Sequence, residues 1–161
     1  MSPTGPFSER IPLELLKKVA EVVPHLELAE IRLIALSAAL TAAPPDPPIA
    51  VTLDRSVDCK EFDGNYFPVQ VKFMVNAAGA DDQIEFLNIV TIYQLLYEGT
   101  NLSTLPSDKL RAFADVNSVH NCWPYLRELV QDVTGKMGLT RMTLPLLKVL
   151  QNSGPEPTDG E

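Results

Sequence analysis

The sequence predicts an α+β domain: a four-stranded antiparallel meander sheet with a long, proline-kinked helix packed on one face, plus an extra N-terminal helix. Three observations carry that expectation. Apolar and polar residues alternate through segments between residues 49 and 97, with turn residues between them, the period of strands with one wet face. Helical spacing takes over from Leu110 to Met137. The 161 residues are 45% hydrophobic, enough for one domain whose core needs no disulfide or metal.

Pro12 suits the first turn of a helix, and Leu13, Leu16, Ala20 and Val23 follow on one face, so a helix is expected over 12–23, ended by Pro24. Residues 28–41 read as the first strand of the sheet. The stretch AAPPDPP, 42–48, is a stiff extended crossover that cannot be a central strand. Ile49, Val51, Leu53, Val57 and Cys59 then point one way, and Thr52, Asp54, Ser56, Asp58 and Lys60 the other. After the turn FDGNY, Phe67, Val69, Val71, Phe73 and Val75 form the next apolar row. After AAGADD, 77–82, the fourth strand spans 83–97 and is apolar on both faces in its second half.

The last helix is expected from 106 to 121 and again from 125 to 137. Between the halves stand Trp123, Pro124 and Tyr125, and an internal proline removes a backbone hydrogen bond at a cost of roughly 3 kcal/mol. The sheet region is set at 28–97 and the kinked helix at 106–137, within one domain of residues 1–151. The polar, Pro/Gly-rich tail 152–161 is expected to be disordered and acidic.

Composition excludes several functions. The net charge of −8 argues against nucleic acid, which needs clustered Lys and Arg. No apolar run approaches the ~18 residues of a membrane span. The N-terminus lacks the basic and apolar regions of a signal peptide, and two distant cysteines, Cys59 and Cys122, suit a reducing compartment. A cytoplasmic protein is expected. His120 and Cys122 have no partner pair elsewhere for a zinc site. No nucleophile elbow or dinucleotide fingerprint occurs, and Gly135 and Gly138 read as a helix end. Adjacent Asp81 and Asp82 read as a solvated turn. No enzyme, no cofactor and no metal are expected.

Two features remain. Between residues 46 and 98 there are nine acids and three bases, so −6 of the total charge falls on the sheet region. That is a soluble face that discourages edge aggregation, or a docking surface for a basic partner. The second feature is apolar excess. Strand four and the segment LTRMTLPLLKVL, 139–150, carry more leucine and isoleucine than one sheet and two helices can cover. A homo-oligomer interface, an apolar groove, or both would absorb it.

Trp123-Pro124-Tyr125-Leu126-Arg127-Glu128 resembles the aromatic-Pro-Tyr-x-Arg-Glu signature of the bacterial protein-export chaperone SecB. Leu144-Pro145-Leu146-Leu147 resembles the apolar segment that follows the family's long helix, and IVTIYQLLYEG stands where its fourth strand stands. The resemblance covers roughly residues 28–150. It implies a cofactor-free holdase that binds unfolded, non-native polypeptides in apolar grooves, as a dimer or a tetramer built as a dimer of dimers. It also implies handover to the motor SecA, docked on an acidic sheet surface, or service to a toxin–antitoxin pair. An oligomeric adaptor without client binding is the alternative. Two departures stand out: the extra helix 12–23, and no second long helix after the Pro145 segment. On this reading the client-binding residues are Ile49, Val51, Leu144, Leu146 and Leu147. Partner docking falls to Asp81, Asp82 and Glu85. The kink and its subunit contacts fall to Trp123, Pro124 and Tyr125.

Overall fold

The computed structural model describes residues 8–151, with side-chain environments over 10–148. The tail 152–161 lies outside the described residues. The chain begins with a short strand, β1 (Ser8–Ile11), and then α1 (Leu13–Val22), whose first turn starts from the carbonyl of Pro12. Four long strands follow: β2 (Glu27–Leu40), β3 (Ile49–Cys59), β4 (Tyr66–Gly79) and β5 (Glu85–Glu98). Then come α2 (Ser107–Phe113), a π-helical stretch Ala114–Ser118, α3 (Val119–Lys136) and finally β6 (Lys148–Gln151), which pairs in parallel with β1.

All four long strands pair antiparallel, as expected, and β3, β4 and β5 do form a meander. The spatial order, however, is β2-β5-β4-β3. The first strand lies beside the last, not beside β3, so the sheet is a Greek-key arrangement and not a full meander. The Pro-rich crossover explains this. Carrying the chain from one edge to the other spans three strand gaps, about 14 Å, well within the reach of the extended residues 41–48.

The sheet has two unlike faces. Val69, Val71, Phe73 and Val75 of β4 and Leu87, Ile89, Tyr93 and Leu95 of β5 are buried under the helices. The opposite row of β3, with Thr52, Asp54, Ser56 and Asp58, is exposed, as alternation predicts. α1 lies on α2, fixed by the Lys18–Asp108 pair at 3.1 Å and by a Lys109–Glu21 pair. Such exposed pairs orient the helix more than they stabilise it; burial of Val19 and Val22 anchors it.

The interruption expected between 121 and 125 is not there. α3 runs through Pro124. Pro124 lacks the N–H that would bond four residues back, but Trp123 and Leu126 beside it are buried against the sheet, and that packing holds the helix through the missing bond. The departure from α geometry comes earlier, at Ala114–Ser118, where the buried Ser118 hydroxyl donates back to the carbonyl of Ala114. Among the described residues no helix is long and apolar enough to cross a membrane.

Candidate functional site

α3 ends in a Schellman cap. Gly138 takes φ +76°, its N–H bonds the Gly135 carbonyl at 3.1 Å, and the Leu139 N–H bonds the Thr134 carbonyl at 3.0 Å. The expectation that these glycines end a helix is met. The cap turns the chain back along the helix it has just left. Arg141 then crosses Gly135 so closely that a Cβ there would stand 3.1 Å from its Nε.

Three side chains of α3 hold this returning segment by its backbone. The Thr134 hydroxyl accepts from the Met142 N–H at 3.0 Å while donating to the Val130 carbonyl at 2.7 Å. Arg127 Nε donates to the Leu144 carbonyl at 2.7 Å, and Trp123 Nε1 donates to the Pro145 carbonyl at 3.0 Å. Spacings of four and eleven residues put all three on one helix face. The motif around Pro124 therefore has a physical role other than a kink. Its tryptophan packs edge-on against Phe73, 6.3 Å between ring centres, while the indole N–H fastens the Pro145 segment. Pro124 and Tyr125 lie on the outer side of the helix, where Tyr125 is 51% exposed.

This geometry sorts the expected client contacts. Leu144 is 1% exposed and belongs to the core, which corrects its assignment as an exposed contact; the bonds from Trp123 and Arg127 set the register that turns it inward. Leu146 is 64% exposed, and Leu147 is half-buried. Val51 is half-buried and, with Leu144 and Leu147, joins one apolar cluster; Ile49 stands outside it, exposed on edge strand β3.

Asp81, Asp82 and Glu85 are all exposed in the β4–β5 hairpin. They are not equivalent. The Asp82 carboxylate accepts the Ile84 N–H at 3.0 Å and closes over Gly79, so it shapes the turn. No group of three or more His, Cys, Asp or Glu side chains that could hold a metal occurs among the described residues.

One apolar surface escaped the sequence reading. On β2, Leu28, Leu33, Leu36 and Leu40 share the face that the helices cover on β5, yet all are more than a third exposed. α3 does not reach them. Between this strand and α3 lies a cavity of about 280 Å³ lined by Ile31, Leu33, Tyr93, Tyr125 and Leu129, with Glu128 and Asp132 on its helix wall. The signal was present as leucine-rich alternation in 28–40, but only the strand order shows that this row sits at an edge.

No protein-family model matches the chain, and no curated protein matches it by sequence. Among solved structures, the chain is similar to the SecB-like chaperone Rv1957 of Mycobacterium tuberculosis, solved in complex with a ChAD peptide from the antitoxin HigA1, Rv1956. Identity is 24%, the TM-score is 0.68, and the match covers 84% of this chain and 100% of that one. A protein of unknown function from Streptococcus agalactiae aligns at 11% identity and a TM-score of 0.42, over 75% of this chain and 97% of its own. The resemblance read from the sequence thus has its structural counterpart: the four-stranded antiparallel sheet backed by one long helix is the fold of a SecB-like chaperone.

Proposed function

We propose that this protein is an ATP-independent holdase chaperone that binds unfolded or non-native polypeptides as a cytoplasmic homo-oligomer. The observation that carries this reading is the fixed Pro145 segment, which presents Leu146 outward and Leu147 half-exposed while its backbone is held by Trp123 and Arg127. A held apolar ledge binds without sequence readout, because burial stabilises by about 25 cal/mol per Å² whatever the side chain. Val51 and Ile49 are proposed to extend the contact along β3. No cofactor or nucleotide is needed for such binding.

The β2 row supports the oligomer. An edge strand with unpaired backbone groups and four exposed leucines is an aggregation hazard unless another copy covers it. A stable interface buries on the order of 800 Å² per partner, and we assign β2, Tyr125 and the neighbouring cavity to it. Trp123 and Pro124 then serve the ledge and the helix, not the interface.

The partner is the second question. Asp81 and Glu85 are proposed to dock a basic partner surface, with Asp82 acting through the turn. A toxin–antitoxin role is favoured over the export motor by one observation: the SecB-like structure similar to this chain was solved with an antitoxin peptide.

The test is light scattering of an aggregating unfolded protein. Suppression near stoichiometric ratios is expected of the native chain, and its loss in Leu146→Ser with Leu147→Ser, with the oligomer intact. Asp81→Lys with Glu85→Lys should keep suppression and lose partner binding. An oligomer that never suppresses aggregation is an adaptor, and the holdase reading fails.

A further inference from the structure

A second cavity, of about 380 Å³, opens between the end of β3, the β3–β4 hairpin and the start of α2. It sits at the Cys59 end of β3. The Ile49 end is about 33 Å away along the strand at ~3.3 Å per residue. Its size falls in the lower range of small-molecule sites, roughly 300–1,000 Å³.

The walls are apolar: Phe62, Phe67 and Leu110 with the Cys59 side chain. Phe62 and Phe67 meet edge to face at 5.7 Å, so one wall is an aromatic corner. Against it stands Arg111. Its Nε donates to Asp115 at 3.2 Å, and its Nη2 reaches the Val57 carbonyl at 2.9 Å and Asp115 at 3.1 Å. Among the described residues Nη1 meets only the Cys59 sulfur, at 3.9 Å. A thiol is a weak acceptor, so this corner offers a donor that a better oxygen acceptor would take.

Charge decides what kind of acceptor. Asp115 already compensates Arg111, Lys60 pairs with Asp58, and Glu61 lies exposed on the lining. An anion would meet three carboxylates, Asp58, Glu61 and Asp115, against two bases. A cation would sit beside Arg111 and Lys60. We propose that this cavity binds a small, neutral aromatic molecule with one carbonyl acceptor, its ring against Phe62, Phe67 and Leu110 and its oxygen on Arg111 Nη1.

Cys59 is a built-in reporter, since it lines the cavity while Cys122 is buried. Burial raises the Cys59 thiol above its ordinary value, so alkylation is run at about pH 9. Iodoacetamide labelling of the full chain is followed at Cys59 by mass spectrometry with 4-phenylbutanamide as the probe. The expected result is a saturable slowing of labelling by at least about tenfold, with half-effect near about 1 mM, in line with the efficiency of small ligands. Butanamide, which has no ring, and 4-phenylbutylammonium, which has no acceptor, should leave the rate unchanged at those concentrations. Phe62→Ser changes a side chain already 41% exposed and should abolish the protection. Phe62→Leu should retain part of it. Absence of saturation, equal protection by all three compounds, or stronger protection by 4-phenylbutanoate would each overturn the proposal.

Discussion

β2 and β5 lie side by side over twelve registered pairs, and both are rich in leucine and isoleucine, yet they live in different solvents. On β5, Leu87, Ile89 and Leu95 are fully buried; on the same face of β2, Leu40, Leu36 and Leu33 are 38–46% exposed. Hydrophobicity is the same on both strands. What differs is reach. α3 is anchored to the centre of the sheet by Trp123, Leu126 and Val130, and one helix, about 10 Å across with its side chains, covers about two strands. A central strand and an edge strand therefore turn equal composition into unequal consequences: cohesion inside the chain on β5, and exposed apolar surface on β2.

The largest effect that would break this contrast is on assembly. Leu33→Asp with Leu36→Asp should convert the oligomer to monomer in sedimentation velocity while circular dichroism stays native. Loss of the fold instead would mean that β2 contributes to the core. Next comes a matched pair on the two strands. Ile89→Ala should cost about 2–5 kcal/mol, the range for buried aliphatic truncation with a cavity left behind. Leu40→Ala, at a side chain 44% exposed on the same β2 face, should cost no more than about 0.5 kcal/mol in the monomer that the double aspartate variant provides. Urea denaturation reads both, and equal losses would erase the distinction.

A smaller effect comes from pH. Burial pushes the Cys122 thiol up to about 12, and Tyr93 and Tyr97 are also raised by burial. A raised folded value means that the unfolded chain loses its proton first. Stability is thus unchanged by these groups below about pH 9 and falls as pH rises above it, by at most about 1.4 kcal/mol per pH unit for each group. Chemical denaturation from pH 8 to 11 should show that decline, steepening near pH 10 as the tyrosines join. Another modest effect is that of Trp123→Phe, which keeps a ring against Phe73 but removes the N–H on the Pro145 carbonyl. It should cost about 1 kcal/mol and lower aggregation suppression, with the oligomer unchanged.

Periodicity made the four long strands and the helices legible, but not the short β1 and β6, because which way a side chain points is a local property. The rows Val51–Cys59 and Phe67–Val75 were readable for that reason. Strand order was not. Nothing in 28–40 says whether its neighbour is β3 or β5, since pairing is settled by the path of the crossover and by which edge the helix leaves open. Pro124 misled for a related reason. Helix propensity prices a proline in isolation, whereas here Trp123 and Leu126 are held by the sheet, and the irregularity moved to Ala114–Ser118. In the candidate site, Leu146 and Leu147 were readable as surplus leucines, but Leu144 was not separable from them. Its burial follows from bonds that Trp123 and Arg127 make to backbone atoms, and backbone acceptors leave no trace in residue identity.

The parallel pairing of β1 with β6 ties the two ends of the described chain together, Ser8 opposite Lys148 and Ile11 opposite Gln151. Tension applied through the N-terminal end of β1 and the C-terminal end of β6 would act along the strands in opposite directions. The ribbon would then be sheared, loading its hydrogen bonds together, and not unzipped one at a time. The segment that carries the Pro145 ledge lies inside that clasp. Tension on the two ends meets a mechanical lock before it meets the sheet.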